Sequence, residues 1–532
     1  MTNDQASSEE TLPPVSLPEE SGDRRGRLVL TIIFHPDSGR IGETAVLPRK
    51  RPGRTMLLGR REPVFARAVK NRVERPLADP HVSRSALTLE WRGSELRLAR
   101  GHDGARSRVD GVELTESIDL DQDDLLRGVS IWLGHSVVQL LRMGQPPEQQ
   151  VEAVPGWGAV GSSPYSTQLR QQVADVARSG LDVLILGETG TGKELVAKAI
   201  HAGSDRATGD LVAVNVAAIP EDLAPAELFG TARGAYTGAD RARPGFFAAA
   251  EGGTLFLDEV GDIAPGIQPQ LLRALQEREV QVVGGTLRKV DVRVVAATDA
   301  PVDDGRSDLR AALRHRLGAI EIRLRPLRDH PEDIGELWWH FLAQEFARAG
   351  REHLLPGPGT APMDVARWAD LFHRCLRYHW PGNVREMINR ARQVAVASGD
   401  CLEPPESLYT AFASGASAID GAATAQANPD TAPARVLTDV DDVDFAQAWE
   451  AAGFEVAAAA RLLGVSRQSV YRRVERSPEL RMASDVDAVE LASALKLAGG
   501  NLRRAAMALR VSAPALQARA RQLGLLPRGS GL

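Results

Sequence analysis

The chain has 532 residues, of which 43% are hydrophobic, 25% charged and 5% aromatic. Such a length exceeds one core and implies three or four units, and a net charge of −6 excludes a molecule that is basic throughout, so any affinity for nucleic acid must come from a local patch. Two cysteines, Cys375 and Cys401, are too few for a disulfide framework and read as buried, inert thiols in a reducing compartment. No apolar stretch is long enough to span a bilayer, and the acidic, polar N-terminus is unlike a secretion signal, so the expectation is a cytoplasmic protein.

Residues 1–26, rich in Glu, Ser and Pro, read as a disordered tail. Over 27–143 short runs such as LVLTIIF, TMLLG, ALTLEW, ELRLA and SVVQLLRM alternate with turn clusters, which predicts a β-sandwich without helices. Residues 144–159 read as a linker. From 160 to 328 the texture becomes strand–helix alternation: LDVLILG, LVAVNVA, GGTLFLDEV and VDVRVVAATD are strands, and KELVAKAIHAG and IQPQLLRALQERE are helices. That alternation predicts an α/β unit with a parallel sheet covered on both faces. Residues 329–410 turn helical, and 411–442, rich in small residues, read as a flexible linker. The tail is all-α and contains a repeat: Gly453, Ala459, Ala460, Leu463, Val465 and Ser466 recur 46 positions later as Gly499, Ala505, Ala506, Leu509, Val511 and Ser512. Its copies span 443–482 and 485–526.

Gly187-Glu188-Thr189-Gly190-Thr191-Gly192-Lys193 fits the phosphate-loop pattern G-x-x-x-x-G-K between a strand and a helix. Its glycines let backbone N–H groups wrap a phosphate, the helix N-terminus adds its dipole, and Lys193 neutralises charge. Glu194 stands where the general pattern has a magnesium-holding Ser or Thr. The buried strand Thr254-Leu255-Phe256-Leu257-Asp258-Glu259 ends in two carboxylates, which suits Asp258 to the magnesium shell and Glu259 to polarising the attacking water.

Together these residues resemble the AAA+ domain of sigma-54-dependent activators over 160–400. That family carries GE(S/T)GTGKE, so Glu194 conforms to it, with magnesium relying on Asp258 and water. It also carries a GAFTGA loop that protrudes from the ring and pushes on sigma-54; here it is Gly234-Ala235-Tyr236-Thr237-Gly238-Ala239, preceded by Glu227-Leu228-Phe229-Gly230, with Tyr236 in place of Phe. The resemblance implies that Asn215 is the switch partner of the catalytic glutamate. It casts Arg310 and Arg316 as arginine fingers acting on a neighbouring subunit, and hence a ring, a hexamer in this family. Trp380-Pro381-Gly382-Asn383-Val384-Arg385-Glu386 resembles the lid segment, in which Arg385 would sense the γ-phosphate. One departure stands out: the sensor asparagine after Ala-Thr is Asp299, and an ionised carboxylate cannot donate a hydrogen bond.

The tail resembles a Fis-type helix-turn-helix, present twice. In the first copy Ser466 caps the second helix, whose Arg467, Gln468, Tyr471, Arg472 and Arg473 suit base edges and phosphates. The second copy offers Ser512, Gln517 and Arg519, has Arg510 in place of the turn glycine Gly464, and reads either as a DNA-binding or as a dimerising element. The N-terminal sandwich resembles a forkhead-associated (FHA) domain, a phosphothreonine-recognition module, through Gly59-Arg60, Ser83-Arg84 and Asp110-Gly111. Arg60, Ser83 and Arg84 would then meet phosphate oxygens, although the family's histidine is Ala86 and its Asn-Gly pair falls at Ala105-Arg106. No receiver pattern with a phospho-acceptor aspartate is found, so control by a sensor kinase acting on Asp is not expected.

The resemblance implies an ATPase, using ATP and magnesium, that binds enhancer DNA as a homo-oligomer. Its partners would be sigma-54 holoenzyme and, through the sandwich, a phosphothreonine protein. A rival stays open: a DNA-binding repressor or scaffold whose nucleotide site only sets oligomeric state.

Overall fold

The computed structural model describes residues 26–48, 55–67, 73–101, 106–146, 157–235, 241–299, 313, 316–357 and 359–412, and towards the C-terminus 442–452, 454, 459, 488–498, 502–512, 515, 516, 519 and 520. It divides into two compact units, 1–422 and 423–532, and each is taken by itself.

The first strands are β1 (Arg27–Phe34), β2 (Thr44–Val46), β3 (Thr55–Leu58), β4 (Leu87–Arg92), β5 (Glu95–Arg100), β6 (Ser107–Val109), β7 (Val112–Glu113), β8 (Ser117–Leu120), β9 (Val129–Leu133) and β10 (Val137–Gly144). They form two antiparallel sheets, ordered β2-β1-β10-β9-β6-β7 and β3-β4-β5-β8. Alternate residues close a common core: Leu28, Leu30 and Ile32 from one sheet meet Leu87, Leu89, Leu96 and Leu98 from the other. One helix, Gln122–Arg127, interrupts the expected all-strand pattern. Asp121 accepts from Asp124 N–H while the Asp124 carboxylate accepts from Asp121 N–H, a reciprocal cap that starts a helix in a polar segment without hydrophobic periodicity.

The next strands are β11 (Val183–Leu186), β12 (Leu211–Asn215), β13 (Thr254–Asp258), β14 (Glu279–Gln281), β15 (Leu287–Lys289), β16 (Arg293–Thr298) and β17 (Ile320–Arg323). Five of them make a wholly parallel sheet in the order β12-β13-β16-β11-β17. The order puts the ends of β11, β13 and β16 side by side, where an open α/β sheet places its ligand. The pair β14–β15 forms a separate hairpin.

Three lid helices follow, Ile334–Arg348, Pro362–Arg377 and Asn383–Ala397. Their apolar faces bury Trp338, Phe346, Trp368, Phe372 and Trp380, and the same core takes in Ile33, Phe34, Ile41, Trp132, Val138 and Leu140 of the sandwich. Sandwich and lid are therefore welded through one core. A register shift between Ile32 and Phe34 turns the end of β1 towards the lid, where the Phe34 and Phe372 rings lie 4.9 Å apart. Gly335 lets the first lid helix reach the sandwich: a Cβ there would come within 2.6 Å of Ile33 O. At the rim, Arg67 pairs with Glu336 at 2.8 Å and Arg142 with Glu332 at 2.8 Å. Beneath, Trp132 stacks on His373 (5.6 Å), Ser130 Oγ lies 3.1 Å from His373 Nε2, and Arg377 donates to Asp110 O.

Cys375 is buried, and burial pushes its thiol well above the usual range. Cys401, expected to be buried as well, is instead half-exposed just past the last lid helix and donates to Glu403 Oε1 at 3.3 Å. Among the described residues no helix is long and apolar enough to cross a membrane.

In the C-terminal unit, Asp442–Ala451, Ala488–Leu497 and Leu502–Leu509 are helical. Leu491, Ala505, Ala506, Val511 and Leu516 share a small core. Arg510, in the position of a turn glycine, adopts φ +56°, and its guanidinium lies 3.9 Å from Glu450 in an exposed pair.

Two outcomes follow from this packing. Arg510→Gly removes a left-handed strain of about 1 kcal/mol and sacrifices an exposed pair of little value. Hydrogen exchange over 488–516 should slow accordingly, and an unchanged rate would mean the turn is unstrained. Burial, aided by Arg377, Arg374 and Arg108 and opposed by Asp370, lowers the pKa of His373 to about 4. A histidine whose pKa falls on docking stabilises the docked state above pH 6.5, its unpaired value, and loses that contribution as pH falls towards 4. Asp110, whose carboxyl burial pushes up, works the other way at the bottom of that window. Protection factors in β9 and in Pro362–Arg377, exchange rates corrected for the intrinsic pH dependence, should therefore fall below pH 6.5, and His373→Gln should flatten the dependence.

Candidate functional site

Strand β11 ends at Leu186 and the loop 187–192 leads into the helix Lys193–Ala202. The loop borders a cavity of about 450 Å³ that also reaches Asp258, Glu259, Asn383 and Arg385. Gly190 needs its lack of a side chain: at φ +83° a Cβ would lie 2.3 Å from Gly382 O of the lid. Thr191 Oγ1 donates to Glu188 O at 2.7 Å, bracing the loop. Lys193 is buried; its Nζ donates to Gly187 O at 2.9 Å and stands 3.6 Å from Glu259 Oε1.

The carboxylates crowd around that lysine. Asp258 Oδ1 accepts from Glu259 N–H at 3.1 Å, leaving Oδ2 for a ligand. Glu259 adopts φ +56°, an uncommon backbone state that turns its side chain off the strand axis. Burial raises its pKa, Asp299 and Asp258 raise it further, and Lys193 pulls it down. Asp299 accepts from Thr189 Oγ1 at 2.7 Å, so the residue that departs from the expected asparagine is tied to the crest of the phosphate loop. Asn215 ends β12 in register with Asp258.

Other expected residues fall differently. Glu194 is exposed, lines the cavity, and pairs with Lys198 at 2.7 Å along the helix surface. Glu188 does not line the cavity; its carboxylate faces Arg328 and Asn383 of the lid. Arg385 is exposed, lines the cavity, and its N–H donates to Gly190 O at 3.3 Å. Arg316 is held on its own subunit, donating twice to Leu275 O at 2.8 and 3.2 Å. Arg310 lies outside the described residues, as do Tyr236, Thr237, Gly238 and Ala239. The described stem of that loop is anchored: Thr231 exchanges hydrogen bonds with Arg243, Ala232 N–H donates to Val283 O, and Val283 N–H to Gly230 O. The stem thus leans on the β14–β15 hairpin, which sequence reasoning did not connect with it.

The apolar part of the cavity was also missed. Trp157, Val160, Tyr165, Leu169, Leu337 and Ile388 line it. Trp157 and Val160 flank a stretch read as the end of a linker; the available signal was the tryptophan, which is costly to leave in water.

In the sandwich, Arg60 N–H donates to Ser83 O at 2.8 Å, and Gly59 packs against the Ser83 and Arg84 carbonyls, so Arg60, Ser83 and Arg84 share one rim. His81 and His135 join them there, rings 4.5 Å apart. Ser136 Oγ donates to Asp79 at 2.9 Å, tying that rim to the β9–β10 turn. In the tail, Ser512 Oγ accepts from Ala515 N–H at 3.3 Å, a helix cap. Arg519 is described and half-buried, whereas Ser466, Arg467, Gln468, Tyr471, Arg472, Arg473 and Gln517 lie outside the described residues.

Comparison with known proteins agrees with these features. Residues 159–323 match the family described as Sigma-54 interaction domain, and residues 446–476 match Bacterial regulatory protein, Fis family. The transcriptional regulatory protein ZraR of Escherichia coli K12 is 42% identical over 60% of this chain and 69% of its own. ZraR of Klebsiella oxytoca is 39% identical over 67% of this chain and 76% of its own. The Nif-specific regulatory protein of Azospirillum lipoferum is 41% identical over 53% of this chain and 45% of its own. Among solved structures, NtrX from Brucella abortus in complex with ADP is 28% identical, covering 69% of this chain and 70% of that one, with a TM-score of 0.40. With a nucleotide-binding AAA+ P-loop ATPase domain and a Fis-type DNA-binding domain in one chain, and with that identity over more than two thirds of ZraR, the chain belongs to the sigma-54-dependent transcriptional activators.

Proposed function

We propose that the chain forms a ring that hydrolyses ATP to remodel sigma-54 RNA polymerase holoenzyme into the open complex, under control of its N-terminal sandwich. The observation that carries this reading is the meeting of the phosphate loop, the Asp258–Glu259 strand end and Arg385 around one cavity. Glu259, whose affinity for a proton burial raises, is suited to accept the proton of an attacking water. Lys193 and Arg385 would meet phosphate oxygens, and Arg310 and Arg316 would serve a neighbour's site, with Asn215 restraining Glu259. Asp258 and Glu259 are hard oxygen donors that fit magnesium, which when bound with ATP supplies charge neutralisation at the phosphates. The segment Gly234–Ala239 is the contact to sigma-54, and its anchored stem gives a moving subdomain something to push with. Ser466, Arg467, Gln468, Tyr471, Arg472 and Arg473 read enhancer DNA, joined or dimerised by the Ser512, Gln517 and Arg519 element.

For regulation we favour an FHA-like role for the sandwich. Arg60, Ser83 and Arg84 would hold a phosphothreonine, and the rim they share rests on the β9–β10 turn. The same two strands place Trp132, Val138 and Leu140 on the lid, so a ligand at the rim has a packed route to the ATPase.

Open-complex formation on a sigma-54 promoter should require ATP and be lost in both Thr237→Ala and Glu259→Gln, with Thr237→Ala still hydrolysing ATP. A wild type that binds nucleotide and DNA without opening the promoter would favour the nucleotide-gated repressor or scaffold. Asp299→Asn should keep the acceptor for Thr189 and add a donor, raising steady-state ATP turnover; an unchanged or lower rate removes that role for Asp299.

A further inference from the structure

The phosphate loop carries its own negative charge. Glu188 lies between Gly187 and Thr189, one residue from groups that border the cavity, and an uncompensated carboxylate there would repel a polyphosphate. Its carboxylate is instead gripped by Arg328 in a two-pronged contact, Nη1 to Oε2 at 2.9 Å and Nη2 to Oε1 at 2.5 Å. Arg328 belongs to the turn Leu327–Asp329, ahead of the first lid helix.

Asn383 completes the contact. It is fully buried, adopts φ +49°, and uses its whole amide: Oδ1 accepts from Leu327 N–H at 2.8 Å, while Nδ2 donates to Glu188 Oε2 at 3.2 Å and Thr189 O at 3.1 Å. Only an amide satisfies all three, since an aspartate has no donor to give. Arg385 N–H on Gly190 O and the close approach of Gly190 to Gly382 O extend the contact along the loop.

We propose that Glu188, Arg328 and Asn383 form a latch that positions the phosphate loop against the lid, with Arg328 cancelling the charge of Glu188 so that the loop accepts nucleotide phosphates. Glu188 and Arg328 stand outside the cavity lining and Asn383 at its border; they act as positioning residues for the phosphate loop. Burial of Asn383 fixes the lid side of the latch, and the exposed Arg328–Glu188 pair forms the side that opens to water.

The test is ATP and ADP affinity of the full chain in Arg328→Gln, Glu188→Gln, the double variant and Arg328→Lys, with thermal unfolding as the folding control. Arg328→Gln should weaken ATP about fivefold, the scale of a half-exposed ion pair, and ADP by less, because the repulsion grows with phosphate charge. Glu188→Gln in that background should restore affinity to near wild type, and Arg328→Lys should keep most of it by supplying charge without the fork. A double variant as weak as Arg328→Gln, or an equal loss for ATP and ADP, would overturn the charge-cancelling role. Should Arg328→Gln fail to fold, Glu188→Gln alone carries the comparison: with the carboxylate removed, ATP affinity at or above wild type supports the charge-cancelling role, and a loss of ATP affinity refutes it.

Discussion

The arrangement depends on the apolar core at the centre of the lid. Trp338, Trp368 and Trp380 fill it, and the sandwich closes it with Phe34, Trp132, Val138 and Leu140. Burial of an aromatic or large aliphatic side chain stabilises by about 1.5–3 kcal/mol, so a handful of such residues outweighs the rim ion pairs. Arg67–Glu336 and Arg142–Glu332 are partly exposed and each contributes at most about 1 kcal/mol. The rim pairs set the register of docking; the core holds it.

Around the phosphate loop the governing force is charge. Lys193 faces Glu259, with Asp258 and Asp299 nearby, so one buried cation serves several carboxylates. The protein meets the imbalance by dispersal: Asp299 is bound by Thr189, Glu188 by Arg328, and Glu194 by Lys198 on the helix surface. Glu259, which lines the cavity with Asp258 and Glu194, has its pKa raised by burial, which is the state that suits a base.

Much of this was legible in the sequence. The phosphate loop, Asp258 and Glu259 are read from a pattern whose physics is local, and the parallel sheet from strand–helix alternation. What escaped was long-range. The runs LVLTIIF in β1 and VSIWL in β9 are buried at nearly every position, whereas a strand with one solvated face would alternate. That continuity signalled a second layer over the sandwich, but nothing local says the layer is the lid. The latch escaped for the same reason: Glu188 and Asn383 are 195 positions apart, and Arg328 alone reads as a surface arginine. Cys401 was misplaced because composition ranks cysteine as buried while a helix end leaves it beside Glu403.

The lid thus holds two neighbours by different physics, and the difference fixes which contact yields first. Towards the sandwich it presents a packed apolar core, whose separation exposes several large side chains together. Towards the phosphate loop it presents a few hydrogen bonds and one half-exposed ion pair, each contributing about 1 kcal/mol net. A change at the nucleotide can therefore release the loop side while leaving the sandwich side intact. Lid and sandwich share that core, so in the regulatory reading proposed above a ligand at the rim around Arg60 and Ser83 would reach the ATP site through the lid.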